Sequence, residues 1–213
     1  MAEVQIHGFT FEKWVCETFF DGHTGSYMRK WDVAPEANYG PAIPVPCRGL
    51  PVSIKTAKYG SPIGLGDILR QRQIDVPFLM IVGFWRQRTL SEKWIEDIGV
   101  AEFSLEKWSD LWGRLSLDHL RSVDLVVKNM DSHYSEVRRQ AREWKKTTPE
   151  VSSSSFVVNP KIDSKSQRRI QCSLPSSVFW TAVGRAPQRL DAPELWGVPF
   201  PNPMSSSARS FGG

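Results

Sequence analysis

Residues 51–85 read PVSIKTAKYGSPIGLGDILRQRQIDVPFLMIVGFW, and the fold class turns on this stretch. Residues 52–56 have the length and β-branched content of a short strand. Three glycines and a proline within residues 59–66 predict a turn. Residues 67–73 predict a helix. Residues 77–85 are apolar almost throughout and of strand length, which suits a central strand covered on both faces. Strand, turn, helix and buried strand in this order define an α/β chain.

Working outward, residues 10–20 place Phe11, Trp14, Val15 and Phe19 on one face at helical spacing. Asp21-Gly22-His23-Thr24-Gly25 is a turn by composition, and a strand is expected over residues 27–33. Residues 34–51 hold five prolines and predict an extended loop. A loop, not a helix, separates the strands at 27–33 and 52–56, so these are expected to be antiparallel. Residues 105–130 read as mainly helical. Residues 131–146 give a clearer helix, with Asp131 as its cap and Tyr134, Val137, Ala141 and Trp144 as its apolar stripe. Strands are predicted at 156–159 and 168–174; in the second, Ile170, Cys172 and Leu174 alternate with Arg169, Gln171 and Ser173. Residues 178–183 fit a short helix or a strand. The expected architecture is a mixed central β-sheet flanked by helices over residues 1–186. A Pro- and Ser-rich tail over 187–213 wraps the domain, docks on a partner or stays partly disordered.

The 213 residues suffice for one sizeable core, and 40% hydrophobic with 23% charged residues is ordinary for a globular protein. Nine tryptophans predict extensive core and rim packing. A net charge of +4 is a mild basic bias that fits a polyanionic partner. Three scattered cysteines argue against a disulfide framework and a Cys-based zinc site. No secretory pattern is visible at the N-terminus, and the longest apolar run is too short to span a bilayer. A soluble, cytoplasmic protein with no membrane association is expected. The four histidines show no paired metal spacing, and residues 60–66 lack the Gly-Lys-Ser/Thr ending of a nucleotide-binding P-loop.

The chemistry concentrates at Asp32, at the end of one expected strand, and Lys55, in the next. Phosphodiester hydrolysis needs carboxylates to hold a metal, a group to place the attacking water, and stabilisation of the leaving oxygen. A carboxylate and a lysine on adjacent strands supply the first two from rigid supports. In this order of elements the residues resemble the PD-(D/E)xK nuclease superfamily, which includes most type II restriction endonucleases. The resemblance covers residues 9–85. It implies that Asp32 is the metal-binding acid, that Ser53 stands in the place of the second acid, and that Lys55 is the catalytic lysine. Glu12 matches the acid of the first helix, and the Ile54 carbonyl completes the metal site. Trp31 stands where the family has proline, and a serine is a poor metal ligand; Glu12 or Glu36 is then the source of the missing carboxylate. The implied cofactor is Mg²⁺. The implied partner is double-stranded DNA, and two half-sites call for a homodimer.

Residues 138–169 carry nine Lys or Arg against three Asp or Glu. Arg138 and Arg142 suit phosphate neutralisation, as does Lys58 beside the active site. Lys165, Arg168, Arg169 and Gln171 are of the residue types that contact phosphates and read base edges, Arg to guanine and Gln to adenine. Sequence-specific restriction cleavage is the first expectation. The alternatives are a repair or phage-defence nuclease of the same fold without fixed specificity, and a non-catalytic DNA-binding module.

Overall fold

The apolar run of residues 78–85 lies inside a sheet, with a strand bonded to it on each side. The computed structural model describes residues 3–22, 30–90, 92–163 and 167–205, with backbone only for 3–8 and 205. In chain order the elements are α1 (Glu3–Phe19), β1 (Val52–Lys58), β2 (Ile63–Asp67), α2 (Ile68–Arg72), β3 (Phe78–Gln87) and β4 (Glu92–Phe103). They continue with α3 (Leu105–Asp110), α4 (Leu117–Lys128), α5 (Tyr134–Thr147), α6 (Glu150–Ser153), β5 (Val157–Ile162), β6 (Arg168–Leu174) and α7 (Ser176–Val183). Three two-residue strands follow: β7 (Glu194–Leu195), β8 (Val198–Pro199) and β9 (Met204–Ser205).

The chain divides into two units. The first comprises Met1–Ser61, Pro77–Phe103 and Phe179–Gly213; the second comprises Pro62–Val76 and Ser104–Val178. In the first unit the sheet order is β1-β3-β4-β9. β1 and β3 are parallel, while β4 is antiparallel to both β3 and β9, so the sheet is mixed as expected. α1 lays Phe11, Val15 and Phe19 on Val52, Ile54, Leu79, Ile81 and Ile95, all fully buried or nearly so. Gly83 lets α1 approach: a Cβ there would stand 2.8 Å from the Phe11 ring. On the other face Phe179 and Trp180 of α7 cover Phe84, and Gly99 leaves them room.

The second unit holds the antiparallel sheet β2-β6-β5 and helices α2 to α6. Ile170, Cys172 and Leu174 of β6 are buried, as the alternation requires. Val137 and Ala141 are the buried part of the α5 stripe, and Trp108 and Trp112 pack around Phe156.

Five local expectations change. Of the strand expected at 27–33, residues 27–29 lie outside the described residues, and the rest is a single antiparallel bridge from Val33 to Val52. Residues 59–66, read as a turn, turn only over Tyr59, Gly60 and Ser61; β2 starts at Ile63. Strand β4 was not anticipated: buried Glu96 and Asp97 and exposed Glu102 interrupt its apolar alternation. Asp131 does not cap α5; the N-cap is His133, without a side-chain bond. Residues 187–205, read as the start of an irregular tail, carry β7, β8 and β9 and bury Leu195, Phe200 and Met204 in the core of the first unit. Among the described residues no helix is long and apolar enough to cross a membrane.

Candidate active site

The free edge of β1 creates the site. β3 takes one edge of β1, and on the other the chain before the proline loop returns to pair only at Val52. There Asp32 N–H and Val33 N–H both donate to Val52 O (3.0 and 3.1 Å), and Val52 N–H donates to Val33 O (2.9 Å). The backbone of Ile54, next along this edge, has no strand partner there, and its N–H donates to Asp32 Oδ2 at 2.6 Å. Lys55 leaves from the opposite face to Ile54 and turns back to the edge. Its Nζ donates to Asp32 Oδ2 at 2.8 Å and to Ile54 O at 2.9 Å. Ser53 Oγ lies at the outer limit of hydrogen bonding, 3.5 Å from the same carboxylate oxygen. The Asp32–Lys55 pair is about three-quarters buried, which limits screening by water.

Glu12 joins from α1. It is half-buried, and its carboxyl is pushed above the ordinary range, first by burial and next by the Asp32 carboxylate, with the Lys55 ammonium opposing. Two acids and one base thus share an electrostatic neighbourhood on three separate segments. Cys16, one turn beyond Glu12, is buried, and its thiol is pushed up to about 12 by burial and by Glu12, Asp32 and Glu17. At neutral pH it is a protonated thiol and a poor nucleophile.

The loop between Asp32 and Lys55 is held by a residue with no sequence motif. Asn38, fully buried, donates from Nδ2 to Cys47 O (2.7 Å) and Leu50 O (2.8 Å), and Gly49 N–H returns a bond to Asn38 O (2.9 Å). This closes the proline loop into a fixed turn. Only Asn's pairing of amide and carboxamide chemistry with a proline-rich surround could have hinted at it.

Asp32, Ser53, Ile54 and Lys55 therefore come together, and Glu12 lies within electrostatic reach of Asp32 and Lys55. Lys58 is exposed at the end of β1, and Glu36 is exposed in the 3-10 turn Pro35–Ala37. The basic residues belong to the second unit. The Arg138 guanidinium donates twice to Ile162 O (2.9 and 2.6 Å). Arg168 donates to Asn129 O and Ser132 O, so its guanidinium is committed to ordering the turn before α5. Arg142 and Arg169 are exposed, Gln171 is half-buried opposite Asn159 and Asp67, and Lys165 lies outside the described residues.

Among the described residues no three His, Cys, Asp or Glu side chains are grouped to hold a metal ion. The oxygen donors at the β1 edge are the Asp32 carboxylate and the Ile54 main-chain carbonyl, with the Glu12 carboxyl within electrostatic reach, a hard set of the kind Mg²⁺ prefers. The Lys55 ammonium bonds to both Asp32 Oδ2 and Ile54 O, two of the oxygens that would hold a cation. The donor chemistry fits Mg²⁺, provided the ammonium moves aside. No family model, curated protein or solved structure matches this chain.

Proposed function

We propose that this protein is a Mg²⁺-dependent endodeoxyribonuclease of restriction-endonuclease-like fold, cleaving both strands of duplex DNA as a homodimer at a defined sequence. The observation that carries the reading is the convergence of Asp32, Lys55 and the Ile54 backbone on one open strand edge, within the electrostatic reach of Glu12 on α1. Asp32, Glu12 and the Ile54 carbonyl would hold the ion. When bound, Mg²⁺ polarises a phosphate oxygen and lowers the pKa of a water. Glu12 takes the place of the acid that Ser53 cannot supply, and holding two carboxylates close together is costly until a cation is shared between them. Lys55, anchored on rigid β1, turns its ammonium from Asp32 toward the attacking water or the charge that develops on phosphate. Two strands of opposite polarity need two such sites, which a two-fold dimer provides.

Purified protein incubated with unmethylated plasmid or phage DNA across a Mg²⁺ titration, with an EDTA control, tests this. Discrete Mg²⁺-dependent fragments are expected, and a smear or structure-dependent nicking would select a nuclease without fixed specificity. Lys55→Ala should lose cutting by about 10²-fold or more while keeping DNA binding; undiminished cutting in that variant overturns the site. The Ser at position 53 and the tight Asp32–Lys55 pair favour one rival, a non-catalytic DNA-binding module. Salt-dependent binding with no cleavage in Mg²⁺ or Mn²⁺ would select it.

A further inference from the structure

α5 and β5 run antiparallel in the second unit and flank an open cleft of about 350 Å³. Four cationic side chains line it: Arg138, Arg142 and Lys145 from α5, and Lys161 from β5. Its floor is apolar, from Ala141, Val158 and Ile162. The volume lies within the range of small-ligand pockets.

The two end cations are fixed in place. Arg138 is clamped by its two bonds to Ile162 O and lies over the Tyr134 ring, 5.0 Å from its centroid. Lys145 donates to Val158 O at 2.9 Å. These anchors hold strand to helix and set two positive charges about 10 Å apart along the helix axis. Between them Arg142 carries only a long 3.3 Å bond from Nε to Arg138 O, and Lys161 is exposed.

Among the described residues no acid lines the cavity. Glu136 is engaged by Arg139 and Gln140. Asp163 accepts from Gln167 N–H. Four cations around a small concavity with no internal counter-charge repel one another, a cost that a bound polyanion removes.

We propose that this cleft is a phosphoanion site, with Arg142 and Lys161 as the ligand-contacting cations and Arg138 and Lys145 as their fixed frame. The phosphates come either from the backbone of a nucleic-acid strand or from the end of a free nucleotide. With a strand as ligand the inference rests on the DNA reading above; the phosphoanion chemistry of the cleft does not.

The test is binding by the full chain in EDTA, with three probes: a short labelled single-stranded oligonucleotide, inorganic pyrophosphate and ADP. The double variant Arg142→Ala/Lys161→Ala is compared with Lys107→Ala/Arg121→Ala, which removes the same charge from the same unit outside the cleft. If strand phosphates are the ligand, the cleft variant loses oligonucleotide affinity about tenfold or more. Its log–log salt slope also falls by about 1.4, two phosphate contacts at about 0.7 each. If a free nucleotide is the ligand, pyrophosphate and ADP bind the wild type and the control variant but not the cleft variant. Either result supports the site. Equal binding of all three probes by both variants overturns it. The same preparations are then given Mg²⁺ and duplex DNA. Unaltered cleft binding with persistent cutting removes this proposal alone, and cleft-dependent binding without cutting removes the nuclease reading alone.

Discussion

Glu12 shows at the scale of one residue how a half-buried acid strains the fold that carries it. Its carboxyl titrates above the ordinary value of 4.5 because burial and Asp32 both disfavour its charge. A carboxyl with a raised folded pKa binds more protons folded than unfolded between the two pKa values. Stability therefore falls as pH rises through that window, and the ionised form costs stability at neutral pH. Glu12→Gln should melt at a higher temperature than the wild type at pH 7 without divalent ions, and the difference should vanish below about pH 4.5. Melting curves over a pH series check this, and a lower melting temperature for the variant at pH 7 would contradict the stated electrostatics. If it binds as proposed, Mg²⁺ should stabilise the wild type by mass action, by about 2.7 kcal/mol at a hundred times its dissociation constant, and so raise its melting temperature. It should leave Asp32→Asn unmoved. The cysteines give an independent reading of burial: Cys16 and Cys172 are buried and Cys47 is half-exposed. A thiol reagent at pH 8 should modify no more than Cys47 in the native protein and all three thiols in denaturant.

At the scale of the element, the contact of α1 with β1 and β3 decides where Glu12 points. Gly83 sits beneath Phe11, and a Cβ there would meet the ring edge at 2.8 to 2.9 Å. Gly83→Ala should cost about 1–3 kcal/mol, as overpacking does. Phe11→Ala should cost about 3–5 kcal/mol through the cavity it leaves. Denaturant titration reads both, and Gly83→Ala should also weaken the proposed cutting, since displacing α1 shifts Glu12 relative to Asp32. The proline loop is a second such element. Asn38→Ala strands the carbonyls of Cys47 and Leu50 and should cost about 1–3 kcal/mol.

For the whole molecule, the C-terminal stretch is the informative part. Phe200 packs against Phe11 and Trp14 with centroids 5.7 and 5.0 Å away, on the helix that bears Glu12. β9 extends the sheet beyond β4, and Asn202 exchanges bonds with both backbone groups of Ile95. Deleting residues 187–213 removes buried Leu195, Phe200 and Met204, each worth about 1.5–3 kcal/mol of burial. That is a large share of a net stability of about 5–15 kcal/mol. The truncated chain should be insoluble or lack a cooperative melt by circular dichroism.

The sequence alone determined the local periodic elements. α1 and β3 were legible because each is a continuous apolar pattern of one period, and β6 because alternation survives wherever one face is buried. Asp32, Lys55, Ser53 and Glu12 were legible as candidates from residue type, order and family resemblance. Sequence did not reveal β4, whose buried Asp97 is paired by Arg185, distant in the chain, and whose buried Glu96 meets Arg88 only across the turn from β3, so their acidity hid the strand. It did not reveal that residues 187–205 complete the core, because short strands carry too few residues to show a period and draw their stability from partners. Nor did it reveal the partition of the basic residues, with Arg138 and Arg168 bound to backbone carbonyls and Arg142 and Lys161 turned to a cavity. Charge is a property of composition, but whether a cation holds the fold or meets a ligand depends on which carbonyls the tertiary structure brings within 3 Å of it.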